Sequence, residues 1–208
     1  MILTLLSLLF FGSFFSFVGS ITPSMLNMTA LKISLENGKE AANKYAFGVA
    51  GVVIPQVIIA VVLTNYIAEN PTILKTLEKA GIVIFLLLSY YFYNESKKGK
   101  IKVEITKSKM KNSFIVGITL SALNMFAIPF FCGVIVFLDV FNLFSFDIYP
   151  IIFFTIGSFI GSFYILFLYG KFAKIIQKKT GKLTKDINLI LAILTGFVAV
   201  FTLLKFVV

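Results

Sequence analysis

The sequence contains no histidine and a single cysteine, Cys132, among its 208 residues. Without a second cysteine, an internal disulfide and a paired-cysteine electron carrier are excluded. Without histidine, neither a Cys/His zinc site nor a His-based catalytic triad can form. Cys132 is interpreted as a small apolar residue within a membrane span. We therefore expect no enzymatic activity, no cofactor and no metal site.

Charge is also scarce, because only 13% of the residues are charged whereas 59% are hydrophobic. A soluble domain of this size is about half apolar and a quarter charged, so lipid must be the solvent for much of the surface. The net charge of +10 comes from nineteen lysines, with no arginine. Because these lysines lie in short segments between apolar runs, they indicate orientation against an anionic leaflet and not nucleic-acid binding.

Long uncharged runs predict an all-α membrane protein with six transmembrane helices. Each run supplies most or all of the roughly 20 residues that a helix needs to cross about 30 Å of hydrocarbon. Five runs are clear, at residues 1–31, 45–68, 112–138, 148–170 and 187–204. The third span, at residues 73–94, is weaker because its uncharged stretch, residues 80–94, is only 15 residues long. It is kept as a span because Lys75, Glu78 and Lys79 lie near one end, where lysine side chains can reach the interface. An interfacial or re-entrant helix is the alternative for this segment.

Lysine positions predict the orientation of these spans. Sixteen of the nineteen lysines lie in three predicted loops, residues 32–44, 96–111 and 171–185. The excess of basic residues on the cytoplasmic side of membrane proteins places these segments inside and both termini outside. No basic residue precedes the first apolar run, so we predict a retained span rather than a cleaved signal peptide.

The chain divides into two halves that form one transmembrane domain, residues 1–208. The first half covers about residues 1–95, a cytoplasmic loop about 96–111, and the second half about 112–208. Three crossings per half make the halves antiparallel in the membrane. This is the arrangement of inverted-repeat transporters, whose substrate site lies near the midplane at broken helices.

Each half opens with a helix that carries serine, asparagine and proline towards its inner end. The first contains Gly19-Ser20-Ile21-Thr22-Pro23-Ser24 and then Asn27, and the fourth contains Ser121-Ala122-Leu123-Asn124 and then Pro129. A break there would expose amides for a carboxylate and carbonyls for an ammonium group. Simple kinks with local hydrogen bonds are the structural alternative. The predicted substrate-binding residues are Thr22, Pro23, Ser24, Asn27, Gln56, Ser121, Asn124 and Pro129.

Glycines in two other spans predict close helix packing. We interpret Gly48 and Gly51 of the second span as packing residues. Gly157 and Gly161 of the fifth span form a Gly-x-x-x-Gly pattern, which suits a packing face within the chain or a dimer face. We favour internal packing and leave a homo-oligomer open.

The motifs resemble those of the LysE/RhtB family of amino-acid exporters. After Pro23 come Gly38-Lys39-Glu40-Ala41-Ala42 and Ala46-Phe47-Gly48, and Leu123-Asn124 is similar to the Leu-Asn-Pro-like start of the family's fourth helix. Ile21-Thr22-Pro23-Ser24 stands where the family has a Pro-Gly-Pro-Asn-like motif. The resemblance implies a six-helix protein of the bacterial inner membrane that exports amino acids or related metabolites, driven by the proton gradient.

Two other functions were weighed against export of an amino-acid-like solute. One is a non-transporting membrane protein that serves as an assembly subunit or partner. The other is a metal-ion exporter of the same superfamily, against which the lack of intramembrane carboxylates and histidine argues.

Overall fold

The computed structural model describes residues 2–21, 24–70, 112–124 and 126–178, with isolated positions between 83 and 97 and between 189 and 203. The continuous stretches are helical. We number their helices α1 (Ile2–Gly19), α2 (Met25–Asn37), α3 (Lys39–Ala68), α4 (Ser113–Ala122), α5 (Ala127–Val140) and α6 (Ile148–Lys171). The chain forms two compact units. One comprises Met1–Tyr66 and Glu104–Gln177, and the other comprises Ile67–Val103 and Lys178–Val208.

Several helices of the first unit are long and apolar enough to cross a membrane. In the described part of the chain these are α1, α3 and α6, with α4 and α5 forming a fourth span if they count as one bent span. α4 and α5 meet at 65° across a short break. Many large apolar side chains on these helices are exposed, as expected of helices that face lipid. The first, second, fourth and fifth predicted spans therefore coincide with apolar helices.

The predicted loop at residues 32–44 is wrong. α2 continues to Asn37 and α3 begins at Lys39, so Gly38 alone separates two helices. Gly38 adopts a φ of 88°, a conformation that glycine reaches without steric cost. The charged residues of this segment, lysine and glutamate, are good helix formers. Their charge was therefore not a sign of a loop.

Two apolar clusters hold the first unit together. One joins α3 to α5 and α6, and includes Val57, Ile135 and Phe154. The other joins α2 to α3 and α6, and includes Ala30 and Leu166. α3 and α6 therefore take part in both clusters.

Glycines bring two helix pairs into backbone contact. A Cβ atom added at Gly12 of α1 would overlap the carbonyl oxygen of Phe154 in α6, and one added at Gly157 would overlap that of Leu9. In the second pair, a Cβ at Gly48 of α3 would overlap the carbonyl oxygen of Phe114 in α4. These helices approach closely because the glycines carry no side chain.

The packing predictions for the glycines are confirmed at three positions and wrong at one. Gly157 and Gly161 face the backbone of α1, so their pattern is a packing face within the chain. Gly48 faces α4 in the same way. Gly51 is different, because a Cβ atom there would meet nothing within 4 Å.

The second unit contains most of the predicted third and sixth spans, and these lie largely outside the described residues. Every described position between 83 and 97 and between 189 and 203 is helical. Within the unit, the Ser89 hydroxyl donates a hydrogen bond of 2.8 Å to the carbonyl oxygen of Ala192. A Cβ atom at Gly196 would come within 2.9 Å of the same hydroxyl, so the two segments pack against each other.

We expect Gly117→Ala to destabilise the protein by about 1–3 kcal/mol, because its methyl group would overlap the Tyr45 carbonyl oxygen. Gly133→Ala is the matched control, since nothing lies within 4 Å of a Cβ atom there. This control should be neutral or stabilising by up to about 1 kcal/mol. Unfolding in detergent, followed by circular dichroism, measures both changes. An equal effect of the two substitutions would contradict the close approach of α3 and α4.

Candidate functional site

Two interruptions of helical structure define the candidate site. The first break lies between α1, which ends at Gly19, and α2, which begins at Met25, and its described residues are Ser20, Ile21 and Ser24. The second break lies between α4 and α5, and its described residues are Leu123, Asn124 and Phe126. Neither break contains a charged residue. The last carbonyls of a helix lack intrahelical partners, and in lipid each of them needs a partner from elsewhere in the protein.

At the first break, side chains from α2 and α6 bind the freed carbonyls. The buried Asn27 donates a hydrogen bond of 2.5 Å from Nδ2 to the carbonyl oxygen of Ser20. The Tyr169 hydroxyl donates one of 2.9 Å to the carbonyl oxygen of Ile21, and it also interacts with the Asn27 side chain. Ser24 caps α2 by accepting a bond of 3.4 Å from the Asn27 backbone amide.

At the second break, an amide side chain from α3 has the equivalent role. Gln56 donates a hydrogen bond of 2.8 Å from Nε2 to the carbonyl oxygen of Ser121, next to the end of α4. The Ser121 hydroxyl donates in turn to the carbonyl oxygen of Val49, at 3.1 Å. The Asn124 side chain accepts a bond of 3.4 Å from the Phe126 amide. Both breaks are thus supported by an amide side chain that donates to a helix-end carbonyl.

One strong acceptor at the second break is left over. Gln56 is buried, and its Oε1 has no hydrogen-bond partner within the described part of the protein. The orientation of the amide group follows from the bond to Ser121, since a carbonyl can only accept. A buried amide oxygen without a partner costs about 1–3 kcal/mol. It is therefore a position where a hydrogen-bond donor of a solute would be stabilised.

The two breaks lie beside each other. Gly19, the last residue of α1, packs against the ring of Phe130 in the first turn of α5. A Cβ atom on Gly19 would overlap this ring. Since α1 leads into the first break and α5 leads out of the second, this contact joins the two halves of the candidate site.

The predicted site residues have different outcomes. Ser24 and Asn27 lie at the first break, and Ser121 and Asn124 lie at the second, where Gln56 joins them. Thr22 and Pro23 lie outside the described residues. None of these placements tests solute binding, so the site itself stays a prediction.

Pro129 lies exposed in the first turn of α5, which begins at Ala127. Proline is tolerated there, because the amides of a first turn have no intrahelical acceptor. In a continuous helix its ring would clash with the carbonyl group four positions earlier. The interruption between α4 and α5 therefore lies where the sequence predicts it, and a role of Pro129 in solute binding stays a prediction.

Sequence reasoning missed Tyr169 and Ser20 as parts of the first break. A tyrosine one turn from the end of a span, followed by Lys171, is typical of the interfacial aromatic belt. Its packing against the first break depends on how α6 meets α1 and α2, which local patterns do not contain. Ser20 takes part through its backbone carbonyl, which no residue type would reveal.

We expect Asn27→Leu to destabilise the protein by about 1–3 kcal/mol, since it removes the donor to the Ser20 carbonyl oxygen and leaves that oxygen without this bond. Ser24→Gly, at the exposed cap of the same helix, should lower the free energy of unfolding by only about a few tenths of a kcal/mol. Thermal unfolding in detergent compares the two variants. If Asn27→Leu were as stable as Ser24→Gly, the support of the first break by Asn27 would be wrong.

Comparison with known proteins gives one match. The family described as LysE type translocator matches residues 17–205. This range contains both breaks and all the helices except most of α1. Neither a curated protein nor a solved structure matches the chain.

Proposed function

Because the chain belongs to the LysE type translocator family, we propose that it exports amino acids or related small metabolites across the bacterial inner membrane. The family establishes a membrane translocator of small molecules. The observation that supports an amino-acid-like solute is the pair of adjacent, uncharged helix breaks, one of which carries a buried acceptor without a partner. Coupling to the proton gradient is part of the same proposal.

The proposed architecture is six helices arranged as two inverted three-helix repeats. The contact of α1 with α6 and the contact of α4 with α3 support it, because they match residue for residue. A constant shift in numbering relates α1 to α4, and another relates α3 to α6. In the first comparison, Leu9, Gly12 and Ser13 of α1 are equivalent to Phe114, Gly117 and Ile118 of α4. In the second comparison, Tyr45, Gly48 and Val49 of α3 are equivalent to Phe154, Gly157 and Ser158 of α6.

The shift that relates α1 to α4 also makes the buried Ser16 of α1 equivalent to the buried Ser121 of α4. If the two halves of the chain are superimposed on each other, the pair of α1 with α6 therefore falls on the pair of α4 with α3, and the same contact positions coincide. The second unit fits this arrangement, since it takes the predicted third span from one half and the sixth from the other. Inverted repeats of this kind bind solutes at the broken helices between the halves.

The breaks offer different charges to a zwitterionic solute. The N-terminus of α2 follows the first break and presents backbone amides with a partial positive charge, which suits a carboxylate. The C-terminus of α4 precedes the second break and presents carbonyl oxygens with a partial negative charge, which suits an ammonium group. No full charge is needed for either interaction, in keeping with the uncharged sequence of both breaks.

We expect everted membrane vesicles that contain the protein to accumulate at least one of the twenty common L-amino acids above protein-free vesicles. Gly19→Val should lower this flux by about tenfold, because an overpacking cost of about 1.4 kcal/mol would separate α1 from the Phe130 ring between the breaks. Gly133→Val, in an open position of α5, is the control and should keep the flux. Uptake of radiolabelled amino acids, normalised to protein content, measures all three.

No accumulation of any amino acid by the wild-type protein would contradict the proposed solute class. A proton ionophore provides the second arm of the same experiment. It should abolish accumulation in energised vesicles, and accumulation that survives the ionophore would contradict proton coupling while leaving the solute class intact.

A further inference from the structure

Thr64 of α3 differs from several other threonines of the described helices, because its hydroxyl makes no hydrogen bond to the backbone of its own helix. Its side chain is buried, at 4% exposure, and its Oγ1 has no hydrogen-bond partner within the described residues. A threonine in a helix commonly donates to the carbonyl four residues earlier. The threonines that do so are Thr29 to Met25, Thr119 to Ile115 and Thr155 to Ile151, at 2.7, 3.0 and 2.7 Å.

The thiol of Cys132 explains the exception. The carbonyl that Thr64 would use belongs to Ala60, and the Cys132 sulfur of α5 donates to that oxygen at 3.6 Å. The Ala60 carbonyl, which is also the helical acceptor for the Thr64 backbone amide, thus has no free position for the hydroxyl. The sulfur lies close enough to interact with the Thr64 hydroxyl, but a thiol sulfur is a weak acceptor. The Thr64 hydroxyl therefore lacks a strong hydrogen-bond partner within the described residues.

Thr64 shares this property with Gln56, whose side chain is 6% exposed. In the described residues, Gln56 Oε1 and Thr64 Oγ1 are the buried side-chain oxygens or nitrogens that lack a partner. They are eight residues apart, so they lie on one face of α3, about 12 Å apart along the helix axis at about 1.5 Å per residue. That face packs against α5 through Val57, Ala60 and Ile135.

We propose that the seam between α3 and α5 is the route of the solute from the second break, and that Gln56 and Thr64 are successive hydrogen-bonding positions on it. This inference rests on the proposed function. Gln56 Oε1 can only accept, so it selects a solute group that donates, such as an ammonium group. The Thr64 hydroxyl receives the same group two turns further along α3. Cys132 is a positioning residue, which keeps the Ala60 carbonyl occupied.

The apolar residues of the seam close it in this structure, and they separate when the solute passes. Unpartnered hydroxyl and amide groups inside such a seam destabilise the closed state. The same groups stabilise the state in which a solute bonds to them. A purely structural polar residue would instead be paired in the closed state, as Thr155 is.

Flux in everted vesicles tests the proposal, with the L-amino acid that the wild-type protein accumulates most strongly as the probe. Thr64→Val keeps the shape and removes the hydroxyl. It should raise KM by between about three- and tenfold, the loss of one hydrogen bond. Thr155→Val, which removes a hydroxyl already bonded within α6, is the matched control and should leave KM unchanged.

Two variants of Cys132 give a readout that simple packing would not. Cys132→Ala frees the Ala60 carbonyl for Thr64, so its KM should rise as in Thr64→Val. Cys132→Ser keeps a donor to that carbonyl and should retain the wild-type KM. In the absence of solute, Thr64→Val should not lower the unfolding temperature, whereas Thr155→Val should lower it.

The outcomes separate this inference from the proposed function. If the wild-type protein transports no amino acid of the panel, the proposed function and this inference both fail. If the wild-type protein transports but Thr64→Val has the KM of Thr155→Val, only the route fails. A Thr64→Val protein that unfolds at a lower temperature than the wild type would show that the hydroxyl has a structural partner, and this too would overturn the route.

Discussion

In a hydrocarbon environment every backbone carbonyl needs a hydrogen-bond donor from the protein, and this constraint determines how the two broken helices are supported. Asn27 donates to Ser20 at one break, and Gln56 donates to Ser121 at the other. Tyr169 supplies a further donor from α6. The breaks persist because neighbouring helices deliver these donors, and the neighbours are held in place by backbone contact at Gly48 and its equivalents.

The support at the two breaks is unequal, and the difference gives the site its chemistry. At the first break the Asn27 amide donates to the Ser20 carbonyl and the Tyr169 hydroxyl donates to the Ile21 carbonyl, which favours a structural role. At the second break half of the Gln56 amide is used and its oxygen is not. An amide side chain therefore supports each break, and the one at the second break keeps an acceptor oxygen without a partner in the described residues. Further along α3, the Thr64 hydroxyl oxygen likewise has no hydrogen-bond partner in the described residues.

Much of this architecture follows from the sequence, for identifiable reasons. Uncharged runs predict spans, because a charge in lipid is costly, and the polar residues before Asn27 and around Asn124 indicate breaks. Pro129 indicates the second break as well, since a proline in the first turn of one helix cannot continue the helix before it. Gly51 and Gly157 look alike in sequence but differ in their neighbours. The Thr64 hydroxyl lacks a backbone partner because the Cys132 thiol of α5 occupies the Ala60 carbonyl. Only the tertiary structure reveals this contact between two helices.

In the proposed architecture, two equivalent halves insert in opposite directions around the broken helices. Single cysteines at Ile2 and at Ser108, each in a Cys132→Ser background, test it through labelling of intact cells with a membrane-impermeant maleimide. Three crossings in the first half predict that Ile2→Cys is labelled from outside and that Ser108→Cys is labelled only after the cells are opened. Labelling of both positions from the same side would contradict the account.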